Sequence, residues 1–197
     1  PRFILDEEKL SARLRELKNL GISRILCHTL DGAAMGKALG FTLHGSFTMN
    51  VFNSYSAEYL QKLGFEDCIV SPEMTLNQLE NIRTSLPLGA LIYGRLPLMV
   101  SDQCIIRHSA GRCACQTPGQ MADRMGSIFP VVKEFGCRNV IYNAHKLYLA
   151  DKANDIYEAG LWGLRMMFTT ESPRECVEVA KGYTREEMLL EAKDEIH

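Results

Sequence analysis

Five short apolar runs punctuate the chain at 22–28 (ISRILCH), 41–47 (FTLHGSF), 68–70 (CIV), 88–93 (LGALIY) and 164–168 (LRMMF). Between most of them lie segments with helical spacing and cap residues. The runs are apolar rather than strictly alternating, which fits parallel strands covered on both faces. Parallel neighbours need a crossover, so strand and helix in alternation predict an α/β fold with right-handed connections.

The helices announce themselves through their ends. Asp6 stands as N-cap before Leu10, Leu14, Leu17 and Leu20, with Gly21 at the stop. Asp31 is the expected cap of a helix over 32–39, and Ser56 that of a helix running through Leu63 to Gly64. Thr75 and Gln78 have capping-box spacing before a helix to about Thr84. Further helices are expected over 151–159 and from Pro173 and Thr184, the last with its own box to Glu187. Between the fourth and fifth runs, 94–99 reads as more extended chain and 101–126 as a long polar loop. Residues 129–133 and 140–142 read as a small hairpin. Five main strands suit an open doubly wound sheet or the last five strands of an eight-stranded barrel. Gly32 and Gly36 (DGAAMGKALG) make neither a GxGxxG fingerprint nor a P-loop. No linker or repeat divides the 197 residues, so a single domain is expected, with 101–142 as an insertion.

Charge narrows the partners. Lys and Arg total 22 against 24 for Asp and Glu, a net −2, so no global basic field exists to draw in a nucleic acid. No apolar run approaches the roughly 20 residues of a membrane span. No charged-then-apolar leader opens the chain.

Seven cysteines in a chain of this length point to the reducing cytoplasm and to thiols used as ligands rather than staples. Cys104, Cys113, Cys115 and Cys137 fall within 34 residues as C-x8-C-x-C-x21-C. Three sit in the polar loop beside Gly111, Pro118 and Gly119, and the fourth follows Gly136 at the hairpin tip. Four converging thiolates would suit a structural zinc or an iron–sulfur cluster, with His108 as a spare ligand; unrelated loop thiols are the alternative. Cys27, Cys68 and Cys176, on strands and a helix, read as small core hydrophobes.

The ordered runs DCIVSPEMTL, LIYGRLPLMVSDQC, DRMGSIFPVV, CRNVIYNAHKLYLAD and RMMFTTES, with LHGSFTMNVFNS before them, resemble the peptidase U32 family over roughly residues 21–182. The resemblance implies a TIM-like (β/α) barrel. This chain would then be its C-terminal part: about five parallel strands plus a small hairpin insertion, lacking about three N-terminal strands. It also implies either a collagenase-like protease or an oxygen-independent hydroxylase acting on an RNA base or a small aromatic ring. The hydroxylase-type members carry a [4Fe–4S] cluster, in some with prephenate as co-substrate. Carried over, the ligands would be Cys104, Cys113, Cys115 and Cys137. The tight Cys113–Ala114–Cys115 spacing departs from many relatives. An open barrel edge implies self-association or pairing with the missing strands.

In such a barrel the reactive face is the C-terminal end of the strands. The polar residues leaving the strands are His28, His44, Asn50, Asn53, Ser71, Glu73, Arg95, Asn143, Arg165, Thr169 and Glu171. Arg95 and Arg165 suit a carboxylate or phosphate held bidentately, or a structural ion pair with Glu73 or Glu171. Glu73, fixed by Ser71-Pro72, is the general acid/base candidate, or a first-turn helix acid. Asn50 and Asn53 line a pocket or cap a loop. His44, before Gly45 inside a strand, is expected to be a hydrogen-bonded core histidine. Tyr142, Tyr148 and Trp162 are candidates to stack on bases. No GxSxG or HExxH is present to support a serine or metalloprotease.

Overall fold

The computed structural model describes residues 6–114, 116, 118–134 and 137–183. The expected second C-terminal helix, from Thr184, lies outside them, as does Cys115. The chain is mixed α/β. In order come α1 (Glu7–Asn19), β1 (Arg24–Cys27), α2 (Leu30–Ala38), β2 (Thr42–Gly45), α3 (Ser54–Leu63), β3 (Phe65–Ile69), α4 (Leu76–Glu80), β4 (Leu88–Gly94) and β5 (Pro97–Ser101). They are followed by α5 (Ile105–Ala110), β6 (Gly119–Ala122), β7 (Ile128–Glu134), β8 (Arg138–Tyr142), β9 (Leu147–Tyr148), α6 (Ala153–Glu158), β10 (Gly163–Met167) and α7 (Pro173–Tyr183). The main path is β1-β2-β3-β4-β10, with β1 to β4 parallel, the arrangement of part of a TIM-like barrel. Two compact units are distinguished, one running to Leu91 with Lys152–Arg165, the other Ile92–Asp151 with the residues from Met166 onward.

In the first unit, each helix is set by its cap. The Asp6 side chain accepts from the Lys9 N–H at 2.9 Å, and the Thr75–Gln78 box forms as the spacing predicts. Two caps differ from expectation. Thr29 rather than Asp31 starts α2, accepting from the Gly32 N–H at 3.1 Å. Asn53 starts α3, and Ser56 is its reciprocal partner three residues on. Asparagine and serine are both strong N-caps, so the pattern alone does not separate them. Leu14, Ala33, Ala57, Leu60 and Leu79 from the helices pack on Cys27, Leu43, Phe65, Cys68, Val70 and Ala90 from the strands and their ends. One face of the strands is thereby committed to the helices.

The β2–β3 pairing is irregular. Leu43 faces Phe65, but His44 faces Asp67 and Gly45 faces Cys68, so Glu66 is an extra residue. Gly45 holds this register: a Cβ there would meet Cys68 Sγ at 2.6 Å and the Asp67 carbonyl at 3.3 Å. Only a residue without a side chain lets the thiol fill the space.

In the second unit, 97–142 is more ordered than a loop with a hairpin. Gly94, at φ 132, ends the fourth strand, and β5 leaves for another sheet. That sheet is antiparallel, in the order β5-β8-β7-β6. The expected hairpin is its centre. Within 101–126, the expected loop contains α5 and β6, because Ile106 finds Val131 and Ile141 to pack against. Neither partner is local, so a polar window conceals the helix. The two-residue β9 pairs antiparallel with the end of β4.

Replacing Gly45 with Ala should destabilise the chain by about 1–3 kcal/mol in denaturant unfolding. Cys68→Ala in the same chain should recover part of that loss. Equal losses in the single and double variants would show that the thiol contact does not set the register.

Candidate functional site

The extra residue Glu66 has a chemical consequence. In a regular strand Asp67 would share a face with Phe65, against the helices. The bulge turns it to the opposite face, beside His44. Asp67 Oδ2 lies 2.5 Å from His44 Nδ1, with the carboxylate buried and the imidazole mostly so. The His44 Nε2 is buried and has no hydrogen-bond partner. Two residues beyond His44, Ser46 is fully buried, and its hydroxyl accepts from Arg165 Nη1 at 3.1 Å. At the end of β1 the Thr48 hydroxyl donates to the His28 carbonyl at 2.8 Å and lies 3.3 Å from His28 Nδ1. A cation, an imidazole–carboxylate pair and two hydroxyls thus line the C-terminal halves and ends of these strands. A cleft of about 280 Å³ opens elsewhere, lined by Leu79, Arg83, Leu88 and Leu161 where β4 begins.

The second unit holds a different charge cluster. Glu171, with no side-chain exposure, is 3.0 Å from Lys146 Nζ and accepts from the Tyr93 hydroxyl at 3.2 Å. Its other oxygen accepts from the Thr169 and Thr170 N–H groups at 2.7 and 3.0 Å. Burial works to raise its pKa. The backbone N–H groups and the Lys146 ammonium outweigh that and bring it down to about 2. Tyr93 packs on Phe168 and Tyr148, and Tyr148 on Tyr183. Arg95 spends Nη1 on the carbonyls of Asn143 and Ala144, so it pins a turn. The ion-pair partner of Glu171 is Lys146.

The other expected site residues are distributed as follows. Asn50 is exposed and left-handed at φ 55, closing a short 3-10 turn. Asn53 caps α3. Glu73 is exposed, its N–H donating to Ser71 Oγ at 3.4 Å. Tyr142 is buried at 2% exposure and cannot stack on a base, whereas Trp162 and Tyr148 remain accessible. Asp67 and Ser46 are the residues that sequence reading misses. An acid just before an apolar run is the available signal for Asp67, but its partner appears only through the bulge.

Burial sorts the cysteines. Cys27 and Cys68 lie in the core as expected, and desolvation pushes their thiols up to about 11 and about 12, so neither is a thiolate at neutral pH. Cys176 is only half-buried on α7, because that position faces partly outward. Cys104 caps α5, its sulfur accepting from the Arg107 N–H at 3.3 Å. Cys113 and Cys137 are exposed. Ser101 pairs with Asn139 across β5 and β8, so Cys104 and Cys137, just outside that pair, share one end of the small sheet, where Asp102 and Arg138 are ion-paired. Soft, accessible thiols fit a soft metal chemically. Among the described residues, no three His, Cys, Asp or Glu side chains group as a ligand set. No helix among them is long and apolar enough to cross a membrane.

The depressed pKa of Glu171 has a definite sign. Its stabilisation is fully present above about 4.5, the ordinary glutamate value, and is lost as pH falls toward about 2. Glu171→Gln should lower stability at neutral pH by on the order of 2 kcal/mol and flatten the acid limb of a stability–pH curve. An unchanged acid limb would show the cluster to be energetically idle.

The family model and a curated relative agree with the resemblance. An uncharacterized protease of Methanocaldococcus jannaschii is 27% identical over 108 residues, 51% of this chain and 26% of that protein. The chain thus aligns with about a quarter of the length of this curated relative. The spore cortex-lytic enzyme SleL of Bacillus megaterium aligns over 89% of this chain and 52% of its own, at 12% identity and a TM-score of 0.35. The model of peptidase family U32 matches residues 5–194, nearly the whole sequence, and the chain belongs to that family.

Proposed function

We propose that this chain is the cluster-bearing portion of a U32-family enzyme. Cys104, Cys113, Cys115 and Cys137 would hold a [4Fe–4S] cluster. The enzyme would hydroxylate an RNA base or a small aromatic ring without oxygen. The observation that carries the reading is the β5–β8 pairing, which sets Cys104 and Cys137 at one end of a sheet with exposed Cys113 in the same unit. When bound, such a cluster supplies one-electron transfer. The chain's own residues do the remaining work. Arg165, held on Ser46, offers a guanidinium to an anionic group such as a prephenate-like carboxylate. Glu73, exposed after β3, is available to give or take a proton. In the first unit Asn53 caps α3 and Asn50 closes the short turn before it, and in the second unit Arg95 clamps a turn. Among the described residues Cys27, Cys68, Cys104, Cys137 and Cys176 are free thiols, which suits a reducing cytoplasm. The edge strand β1, with Leu26 39% exposed, suits pairing with a further strand or a second copy.

A peptidase is the second reading, favoured by the protease description of the archaeal relative. A zinc site on the same thiols is the third.

Protein purified without oxygen should carry about four iron and four sulfide per chain and absorb broadly in the visible. Cys137→Ala should lose most of the iron. Full iron in that variant would reject the ligand assignment. Stoichiometric zinc alone, or peptide cleavage by colourless protein, would favour the other readings.

A further inference from the structure

We propose that His44, oriented by Asp67, is a proton-accepting site for the hydroxyl group of a bound ligand. The inference stands apart from the thiol reading: it uses no cysteine and only residues of the first unit. Three observations carry it. First, the pair is built by a bulge, which turns Asp67 away from the helix-packed face and sets it opposite His44. Bulges recur where a side chain is re-aimed beside an active site. Gly45 keeps that register because Cys68 Sγ fills the place of its Cβ. Second, the ring is half satisfied. Nδ1 is bonded to a buried carboxylate; in the neutral ring that contact favours the proton on Nδ1 and leaves the lone pair on Nε2. That Nε2 is buried with no partner, and such a group carries a penalty until a hydrogen-bond donor meets it. Third, the surroundings suit the product of proton loss. Ser46 lies two residues after His44, just past the end of β2 and roughly 7 Å on along extended backbone, and anchors the Arg165 guanidinium. A cation is thereby fixed near the place where negative charge would form.

The transfer balances without a further reactant. The ligand O–H gives its proton to Nε2, and its bonding pair stays on the oxygen. The ring becomes an imidazolium whose Nδ1–H remains on Asp67. The new oxyanion faces the imidazolium. An alcohol, a phenol or a water molecule meets this requirement. Asp67 is a positioning residue, since it acts through the ring.

The test is nitrogen NMR of the imidazole groups in the full folded chain, with exposed His145 as internal reference. A proton on Nδ1 and a lone pair on Nε2 is the expected tautomer of His44. Asp67→Asn removes the charge that holds the proton on Nδ1, and should shift His44 toward the opposite tautomer while leaving the His145 signals in place. The reverse tautomer in the unaltered chain, or the same tautomer in Asp67→Asn, would overturn the proposal. If that variant does not fold, the tautomer of the unaltered protein decides.

Discussion

The contact between Gly45 and the Cys68 thiol fixes how β2 meets β3. A side chain at 45 would drive the strands apart or shift their register. With none, Cys68 fills the gap on the helix-packed face and Glu66 is left over as a bulge. Everything polar on the other face follows from that one extra residue. Asp67 turns to His44, and Ser46, the residue after β2, is where Arg165 attaches. A slip of one residue would bury the carboxylate among Leu43, Phe65 and Val70 with no partner, which is far costlier than the bulge.

Charged groups at the strand ends divide into two kinds. Arg95 and Glu171 are saturated by backbone groups and a lysine, and they hold turns in place. The His44–Asp67 pair is different, because one ring nitrogen remains unmet. Thiols divide in the same way. Burial keeps Cys27 and Cys68 protonated and inert, whereas Cys104, Cys113 and Cys137 stay within reach of solvent. Among the thiols, accessibility separates packing residues from candidate ligands more sharply than residue type does. Membership of family U32 sets the context for both sites without choosing between hydrolysis and redox chemistry.

Much of the fold is legible because its signals are local. Asp6 and the Thr75–Gln78 box satisfy N–H groups within one turn, so their spacing is enough. The five apolar runs overlap β1, β2, β3, β4 and β10; burial on both faces accounts for the unbroken run of β4, whereas β1 and β10 are only partly covered. Residues 101–126 are misread because α5 and β6 depend on Val131 and Ile141, which lie beyond any window around them. Asn53 and Ser56 are exchanged because both residues serve in the same cap.

The sequence by itself determined the α/β class, the strand order along the chain, the family and the set of cysteines available as ligands. These depend on composition and short-range periodicity, which are written in consecutive residues. Tertiary structure alone decided that 97–142 builds an antiparallel sheet, that Asn53 and Arg95 serve the backbone, and that Asp67 meets His44. Each of these turns on a partner distant in sequence, in the last case through a register shift one residue long. Periodicity cannot register such a shift, because the bulge interrupts the alternation on which that reading depends.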